Sequence, residues 1–344
     1  MRPAESDLAE IAALADQDCR WLAGKRILLT GGTGFIGTWF LALFDHLNRE
    51  RAAGIFCAVP SRNPEAFLAR NDHLRQPWLS VFSGDIRTFS FPEGAFDLVI
   101  HGATDVGNAE RAQDYRTTFE VCVEGTKRVL EFVKAKKVSH LLLLSSGAVY
   151  GRQDPAVAFL EETSPCTIDP TLDGSAYGEG KRVAEWLVAH HARAEGFHAG
   201  IARCFAFSGA GLPLDGPFAL GNFLADSHSG RAISVKSDGS ALRSYLYASD
   251  LIVWLLAILH RGQSGSPYNV GSDHAVSIRQ LAEAISQLPQ PAVPVSFLAA
   301  PMAGVLPARY VPSVQKAIRD LGVSVAVPFH DGLLRHWNSL QGES

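Results

Sequence analysis

Eight residues, TGGTGFIG (Thr30–Gly37), constrain this chain more than any other stretch. They follow a β-rich run, RILLT (26–30), and lead into helical periodicity from 35 to 49. They satisfy G-x-G-x-x-G through Gly32, Gly34 and Gly37, and G-x-x-G-x-x-G through Gly31, Gly34 and Gly37. Between a strand and a helix, glycines let the backbone turn tightly and approach a pyrophosphate, whose charge the helix N-terminus stabilises. Gly31, Thr33, Gly34, Phe35, Ile36 and Gly37 are therefore read as a dinucleotide cradle.

The alternation continues along the chain. GIFCAVP (54–60), WLSVFSGDI, FDLVIHGA (96–103), VSHLLLLSS (138–146) and HAGIARCFAF read as strands, with helices expected at 109–135 and 176–195. Nearly continuous apolar strands alternating with helices signify a parallel sheet covered on both faces, a doubly wound, Rossmann-like α/β domain. After about residue 205 the texture becomes Gly/Pro-rich. There ISVKSDGSALRSYLY reads as a β-hairpin region, LIVWLLAIL (251–259) as a buried helix, and 277–287 and 312–321 as further helices. The expected organisation has three parts: a helical extension at 1–24, a dinucleotide-binding domain at 25–205 plus about 245–265, and a smaller discontinuous lobe at 206–244 and 266–344. Leu8, Ile11 and Leu14 or Ala15 would form the inward side of the extension.

The second strand bears on the type of cofactor. An acid about 20 residues past the glycines would bind a ribose 2′-hydroxyl and select NAD. No Asp or Glu occurs between Glu50 and Glu65, and Ser61-Arg62 stands there instead. An arginine suits a 2′-phosphate, so NADP is favoured over NAD.

Two tyrosines compete for the chemistry. Tyr177 and Lys181 are four residues apart, on one face of a helix. An ammonium beside a phenol favours the phenolate, making a general acid/base for carbinol/carbonyl interconversion. Ser146, at the carboxyl end of the fifth strand, can hydrogen-bond the same substrate oxygen. Tyr150 has no basic residue one turn later and is read as packing.

Composition excludes other classes. The 344 residues are 47% hydrophobic and 19% charged, enough for one large core with a smaller lobe. A net charge of −4 gives no reason to expect nucleic acid or an anionic membrane as partner. Five cysteines without a C-x-x-C pair argue against a disulfide framework or zinc, and no metal is expected. The N-terminal MRPAESDLAEIAALADQD carries acids where a signal peptide needs a basic start, so a soluble cytoplasmic protein is expected. His190, His191 and His198 are read as a solvated face.

TGGTGFIG, GDI (84–86), HGAT (101–104), SSGAVYG (145–151), YGEGK (177–181) and RSYLYASD (243–250) occur in an order that resembles extended short-chain dehydrogenases/reductases. More narrowly, the chain resembles the NAD-dependent epimerase/dehydratase family acting on nucleotide sugars. The resemblance implies a catalytic set of Ser146, Tyr177 and Lys181, with Tyr177 and Lys181 also touching the cofactor. It places Asp85 and Ile86 at adenine, His101 and Ala103 near the cofactor, and Thr104 with Ser146 at the substrate. Arg243 would grip a substrate diphosphate, with Asn222 and Arg309 as further nucleotide-side contacts, while Asp250 is read as structural. It also implies a homodimer through helices 109–135 and 177–195.

Gly147 and Ala148 stand where dehydratases of the family carry acids, which counts against 4,6-dehydration. Cys122 and Ala206 replace family asparagines. The resulting expectation is an NAD(P)-dependent enzyme acting at C4 of a nucleotide-activated hexose, as 4-epimerase or 4-ketoreductase. A dehydratase or decarboxylase of the same family, a reductase of non-nucleotide ketones, and a non-enzymatic dinucleotide-binding protein remain the alternatives.

Overall fold

Side-chain alternation along the strands decides how the layers form. In β1 (Arg26–Thr30), Ile27 and Leu29 join one buried cluster and Leu28 another. Both faces of the strand are apolar, so helices must cover both. The computed structural model of the protein describes residues 2–104, 114–216, 218–300 and 304–342.

The chain opens with α1 (Glu5–Leu14) and α2 (Asp16–Trp21), then β1 and α3 (Phe35–Arg51). It continues through β2 (Phe56–Ser61), α4 (Pro64–Arg70), β3 (Leu79–Ser83) and β4 (Leu98–His101). Then come α5 (Tyr115–Lys136), β5 (His140–Ser146), α6 (Ala176–Glu195) and β6 (His198–Cys204). Residues 109–113 of the expected helix at 109–135 lie outside the described residues.

The second part of the chain supplies β7 (Phe207–Ser208), α7 (Ala219–His228), β8 (Ile233–Val235), β9 (Leu242–Arg243) and β10 (Leu246–Tyr247). After these follow α8 (Ala248–Arg261), β11 (Pro267–Val270), β12 (Val276–Ser277) and α9 (Ile278–Ser286). Last are β13 (Val295–Phe297), β14 (Arg309–Tyr310), α10 (Gln315–Leu321) and α11 (Phe329–Gln341).

Seven parallel strands form the main sheet in the order β11-β6-β5-β4-β1-β2-β3. The order reverses between β1 and β4, where Thr30 pairs with His101, and ligands of open α/β sheets bind outside that crevice. Helices α5 and α6 pack on one face through Val129, Phe132, Ala184 and Val188, and α3 and α8 cover the other.

Two expectations about the smaller lobe are corrected. Residues 233–247 form no hairpin: β8 pairs with β13, β9 with β12 and β14, and β10 with β7. Strand partners separated by long loops leave no local alternation to read. The strand at 267–270, assigned to the lobe, extends the main sheet beside β6. The helix α11 was not anticipated; its Leu333 and Trp337 close the lobe's own core with Leu220, Leu224 and Leu281.

The N-terminal extension belongs to the body of the fold. Leu8, Ile11, Ala12 and Ala15 are buried, whereas Leu14 is 53% exposed, so Ala15 is the inward residue. Buried Asp7 accepts from Tyr247 Oη and Arg335 Nη1, both at 2.8 Å, and buried Asp18 binds His260 and Arg261 of α8. No helix among the described residues is long and apolar enough to cross a membrane.

Asp250, in the first turn of α8, accepts amides of Ala326 and Val327 at 3.1 and 3.0 Å and so ties the tail to the sheet. Burial pushes its carboxyl up to about 6 despite these donors, with Glu10 adding to the rise and Arg335 opposing it. The folded chain thus holds this proton more tightly than the unfolded chain, whose carboxyl titrates near 3.9. The associated stability is complete below about pH 4 and is lost as pH rises through about 6. Asp250→Asn keeps an acceptor oxygen but removes the titration. Denaturant midpoints across this interval should be flatter in the variant than in the wild type.

Candidate active site

The cradle follows from backbone geometry. Gly31 has φ +73°, a conformation L side chains rarely adopt, and a Cβ there would lie 2.6 Å from the Gly102 carbonyl carbon. At Gly37 a Cβ would enter the backbone of Gly31 and Gly32. The loop is thereby pressed against the exit of β4 and the start of α3. No side chain caps α3, so the first-turn amides of this 17-residue helix are open to an anion. Thr33 and Gly34 are exposed above them, while Phe35 and Ile36 pack partly into the core. The site fits a dinucleotide pyrophosphate.

Residues placed around that cradle separate into two groups. Ser61 ends β2 buried and Arg62 follows it exposed. Asp85 is gripped by Arg87 through two side-chain bonds of 2.9 and 3.0 Å, which hold its carboxyl below the usual range. Ile86 packs against Gly125 of α5.

The His101 side chain is held within the fold. It is buried, with Nδ1 2.7 Å from Thr30 Oγ1 and Nε2 3.1 Å from Thr126 Oγ1. Thr126 donates to the Cys122 carbonyl, so it accepts from His101 Nε2–H. The Thr30 hydroxyl oxygen accepts the Gly102 and Ala103 amides at 3.2 and 3.3 Å and donates to Nδ1. The ring is a structural brace of the β1–β4 crevice, and burial drives its pKa down to about 3. Ala103 is partly buried beyond it, and Thr104 is exposed.

Ser146 is the last residue of β5, and Tyr177 and Lys181 stand on the first turns of α6. The structure brings all three together beside the cradle. Ser146 Oγ accepts the Ala148 amide at 3.1 Å. Lys181, buried, donates to the Leu144 carbonyl at 2.8 Å, with Nζ 5.9 Å from the Tyr177 ring centroid. The expected lowering of the Tyr177 pKa by Lys181 is therefore not what dominates. Burial of the phenol end pushes it up, and Ser146 only partly opposes this.

Tyr150 has the packing role read for it. Its hydroxyl donates to Asn269 Oδ1 at 2.7 Å and accepts from Arg203 Nη1 at 2.9 Å.

A third tyrosine escaped the sequence reading. Tyr310, in β14, brings its hydroxyl to within 2.4 Å of where a Cβ at Gly147 would lie, and its ring centroid lies 4.7 Å from that of Phe205. The partner of this space, the missing side chain at Gly147, was visible; the segment that fills it was not, because the two lie far apart in sequence. Arg243 is paired in register with Tyr310 and forms no ion pair among the described residues. Arg309, on the same strand, donates to the Ala158 carbonyl at 3.2 Å. Asn222 is exposed in the first turn of α7, on the smaller lobe. Among the described residues no His/Cys/Asp/Glu cluster could hold a metal, and His190 stacks on Trp186.

This sheet order and glycine cradle are those of the short-chain dehydrogenase/reductase class of Rossmann folds. Residues 27–271 match the family model described as "NAD dependent epimerase/dehydratase family", and the chain belongs to that family of nucleotide-sugar-modifying enzymes. It is 30% identical over 316 residues to UDP-glucuronic acid decarboxylase 6 of Arabidopsis thaliana, covering 90% of this chain and 87% of that one. Its fold is similar to that of an epimerase from Methanothermobacter thermautotrophicus (TM-score 0.77, 22% identity, 96% of each chain). It is also similar to that of MoeE5 in complex with UDP-glucuronic acid and NAD (TM-score 0.74, 22% identity, 93% of this chain and 100% of that one).

Proposed function

We propose that this enzyme withdraws a hydride and a proton from C4 of a nucleotide-activated hexose. The observation that carries this reading is the meeting of Ser146, Tyr177 and Lys181 at the carboxyl end of β5, beside the glycine cradle. When bound, an oxidised nicotinamide supplies the hydride acceptor. Tyr177 as phenolate takes the C4 hydroxyl proton, and Ser146 holds the same oxygen. Lys181 brings a buried positive charge to the floor of the site. Arg243 offers a planar donor fork to a diphosphate.

The 4-keto sugar can then take hydride back on its other face, giving a C4 epimer; supplied with a reduced nicotinamide and a ready-made 4-keto sugar, the same groups would act as a 4-ketoreductase. Gly147 and Ala148 put no carboxylate beside Ser146, which favours either outcome over 4,6-dehydration. The likeness to a UDP-glucuronic acid decarboxylase favours a second reading. A hexuronate oxidised at C4 is a β-keto acid and loses carbon dioxide without needing a carboxylate base.

Incubation of the purified protein with UDP-glucose, dTDP-glucose and UDP-glucuronate, without added reductant, separates these readings. Epimerised hexose supports the first, a pentose with carbon dioxide release supports the second, and no change in any of them, with no oxidation of NADPH by a 4-keto-6-deoxy nucleotide sugar either, overturns hydride transfer at C4.

The cofactor reading rests on Ser61 and Arg62. Arg62→Ala should weaken NADP⁺ binding by roughly tenfold, the loss of one charge-assisted hydrogen bond, while leaving NAD⁺ binding unchanged. Equal effects on both, measured by calorimetry, would remove the preference for NADP. A cytoplasmic homodimer through α5 and α6 completes the proposal; exposed Phe119 and Trp186 on those helices support the pairing.

A further inference from the structure

Residues 309–313 run between the two ends of the site. On one side β14 pairs with β9, so that Tyr310 lies opposite Arg243. On the other, a Cβ added at Gly147 would run into the Tyr310 hydroxyl and the Phe205 ring. Gly147 opens the turn Gly147–Tyr150, which directly follows Ser146. One strand thus spans the interval from the arginine fork to the serine.

A buried glutamine holds that strand in place. Gln153 is 3% exposed, and both ends of its amide are used. Its Oε1 accepts the amide of Val311, itself fully buried, at 2.9 Å. Its Nε2 donates to the Val157 and Ala158 carbonyls at 2.8 and 3.3 Å. The Ala158 carbonyl also accepts from Arg309 Nη1. Two backbone bonds complete the clasp: Leu160 N–H donates to the Val311 carbonyl at 2.9 Å, and Ser313 N–H to the Leu160 carbonyl at 2.7 Å. Residues 153–160 follow the turn after Ser146, so the clasp ties 309–313 to the stretch of chain that carries the serine. An apolar side chain at 153 would leave the buried Val311 N–H unpaired, and the strand relieves that cost by shifting.

A nucleotide-activated hexose carries its diphosphate on C1 and its C4 hydroxyl across a rigid ring, so the span between them is fixed. We propose that residues 309–313 set the matching span in the protein, and that Gln153 is the positioning residue that fixes it. The proposal rests on the reading of Arg243 as the diphosphate grip and of Ser146 as the partner of the C4 oxygen. Substrate held at Arg243 presents C4 to Ser146 and Tyr177 only while the strand keeps its place. A shift of the strand moves one contact relative to the other without removing either. Binding of the nucleotide half then survives, and hydride transfer does not. Misplacement by about 1 Å is enough to cost roughly a hundredfold in rate.

Gln153→Met keeps the length and bulk of the side chain and removes both hydrogen-bonding groups. Three measurements on the full chain test the role. Without ligand, hydrogen exchange of residues 307–313 should speed up by about tenfold, the loss of one buried hydrogen bond. The Kd of UDP or dTDP, whichever the wild type binds, and the Kd of the dinucleotide should stay unchanged. The kcat for nucleotide-sugar oxidation should fall by roughly tenfold to a hundredfold. Should Gln153→Met fail to fold, Gln153→Glu replaces it, keeping an acceptor for Val311 while setting a carboxylate against the Val157 and Ala158 carbonyls. It should loosen the strand in the same way. Equal exchange in variant and wild type overturns the proposal. So does a loss of nucleoside diphosphate binding that matches the loss of kcat, the pattern of a residue that only supports the fold. A wild type that turns over no nucleotide sugar defeats the functional reading alone, and the exchange measurement still decides whether Gln153 holds the strand.

Discussion

Tyr177→Phe should lower kcat for C4 oxidation by about 10²–10⁴-fold, the usual range for losing a positioned acid/base, and leave dinucleotide binding intact. The replacement keeps the ring and removes only the oxygen that exchanges a proton with substrate. Stopped-flow measurement of nicotinamide reduction would isolate that step from product release. Burial holds the Tyr177 phenol above its ordinary value, so the wild-type rate should rise with pH towards the phenolate, and Tyr177→Phe should lose this dependence. Tyr150→Phe is the control. The Tyr150 proton is committed to Asn269 and burial raises its pKa to about 12, so that variant should leave the pH profile in place. Loss of the profile in Tyr150→Phe, or near-normal turnover in Tyr177→Phe, would reassign the reacting tyrosine.

What could be read before the structure was whatever is written locally. The apolar runs of β1 to β6 and the helices between them are periodic over short spans, so their place in a parallel sheet was legible. The cradle was legible because its glycines lie within one turn, and Tyr177–Lys181 because i and i+4 share a helix face. Ser146 could be placed because a strand end is a position in the chain as well as in space. Legibility fails where partners come from distant segments. Strand β14 pairs with β9 across a long stretch of chain, so no window of sequence contains both Tyr310 and Ser146. His101 looked like a site residue because of its motif, yet its environment is made by Thr30 and Thr126. Lys181 was correctly put beside Tyr177, but the carbonyl that holds it belongs to Leu144 on another element. Residues 233–247 misled for the same reason: the segment read as a hairpin, while the actual partners in β13 and β14 lie more than sixty residues away. Motif order located the chemistry, and tertiary pairing decided which groups in it are held, charged or free to react.

Arg203→Met should destabilise the protein by about 3–5 kcal/mol, the cost of leaving one partner of a buried ion pair uncompensated. Arg203 leaves β6 beneath the catalytic residues and donates to both Glu185 oxygens at 3.0 and 2.8 Å. The same guanidinium donates to Tyr150 Oη and to the Glu162 carbonyl. Side chains of Arg203 and Glu185 are only 15% and 11% exposed, so solvent cannot replace the lost partner. Without Arg203, the side-chain donor left to the Glu185 carboxylate is the Ser145 hydroxyl. Ser145 adjoins Ser146 in β5, and Glu185 lies one helical turn beyond Lys181 in α6, so strain in this pair reaches two catalytic residues at once. The double variant Arg203→Met/Glu185→Gln should recover much of the loss, because removing both charges avoids burying a lone carboxylate. Urea unfolding gives the comparison: a fall in midpoint at constant slope for the single variant, and partial recovery in the double. A single variant within about 1 kcal/mol of wild type would mean that the pair is no more than a surface contact. Recovery of stability without recovery of C4 oxidation would show that the pair's main contribution is to hold β5 and α6 in register for Ser146, Tyr177 and Lys181.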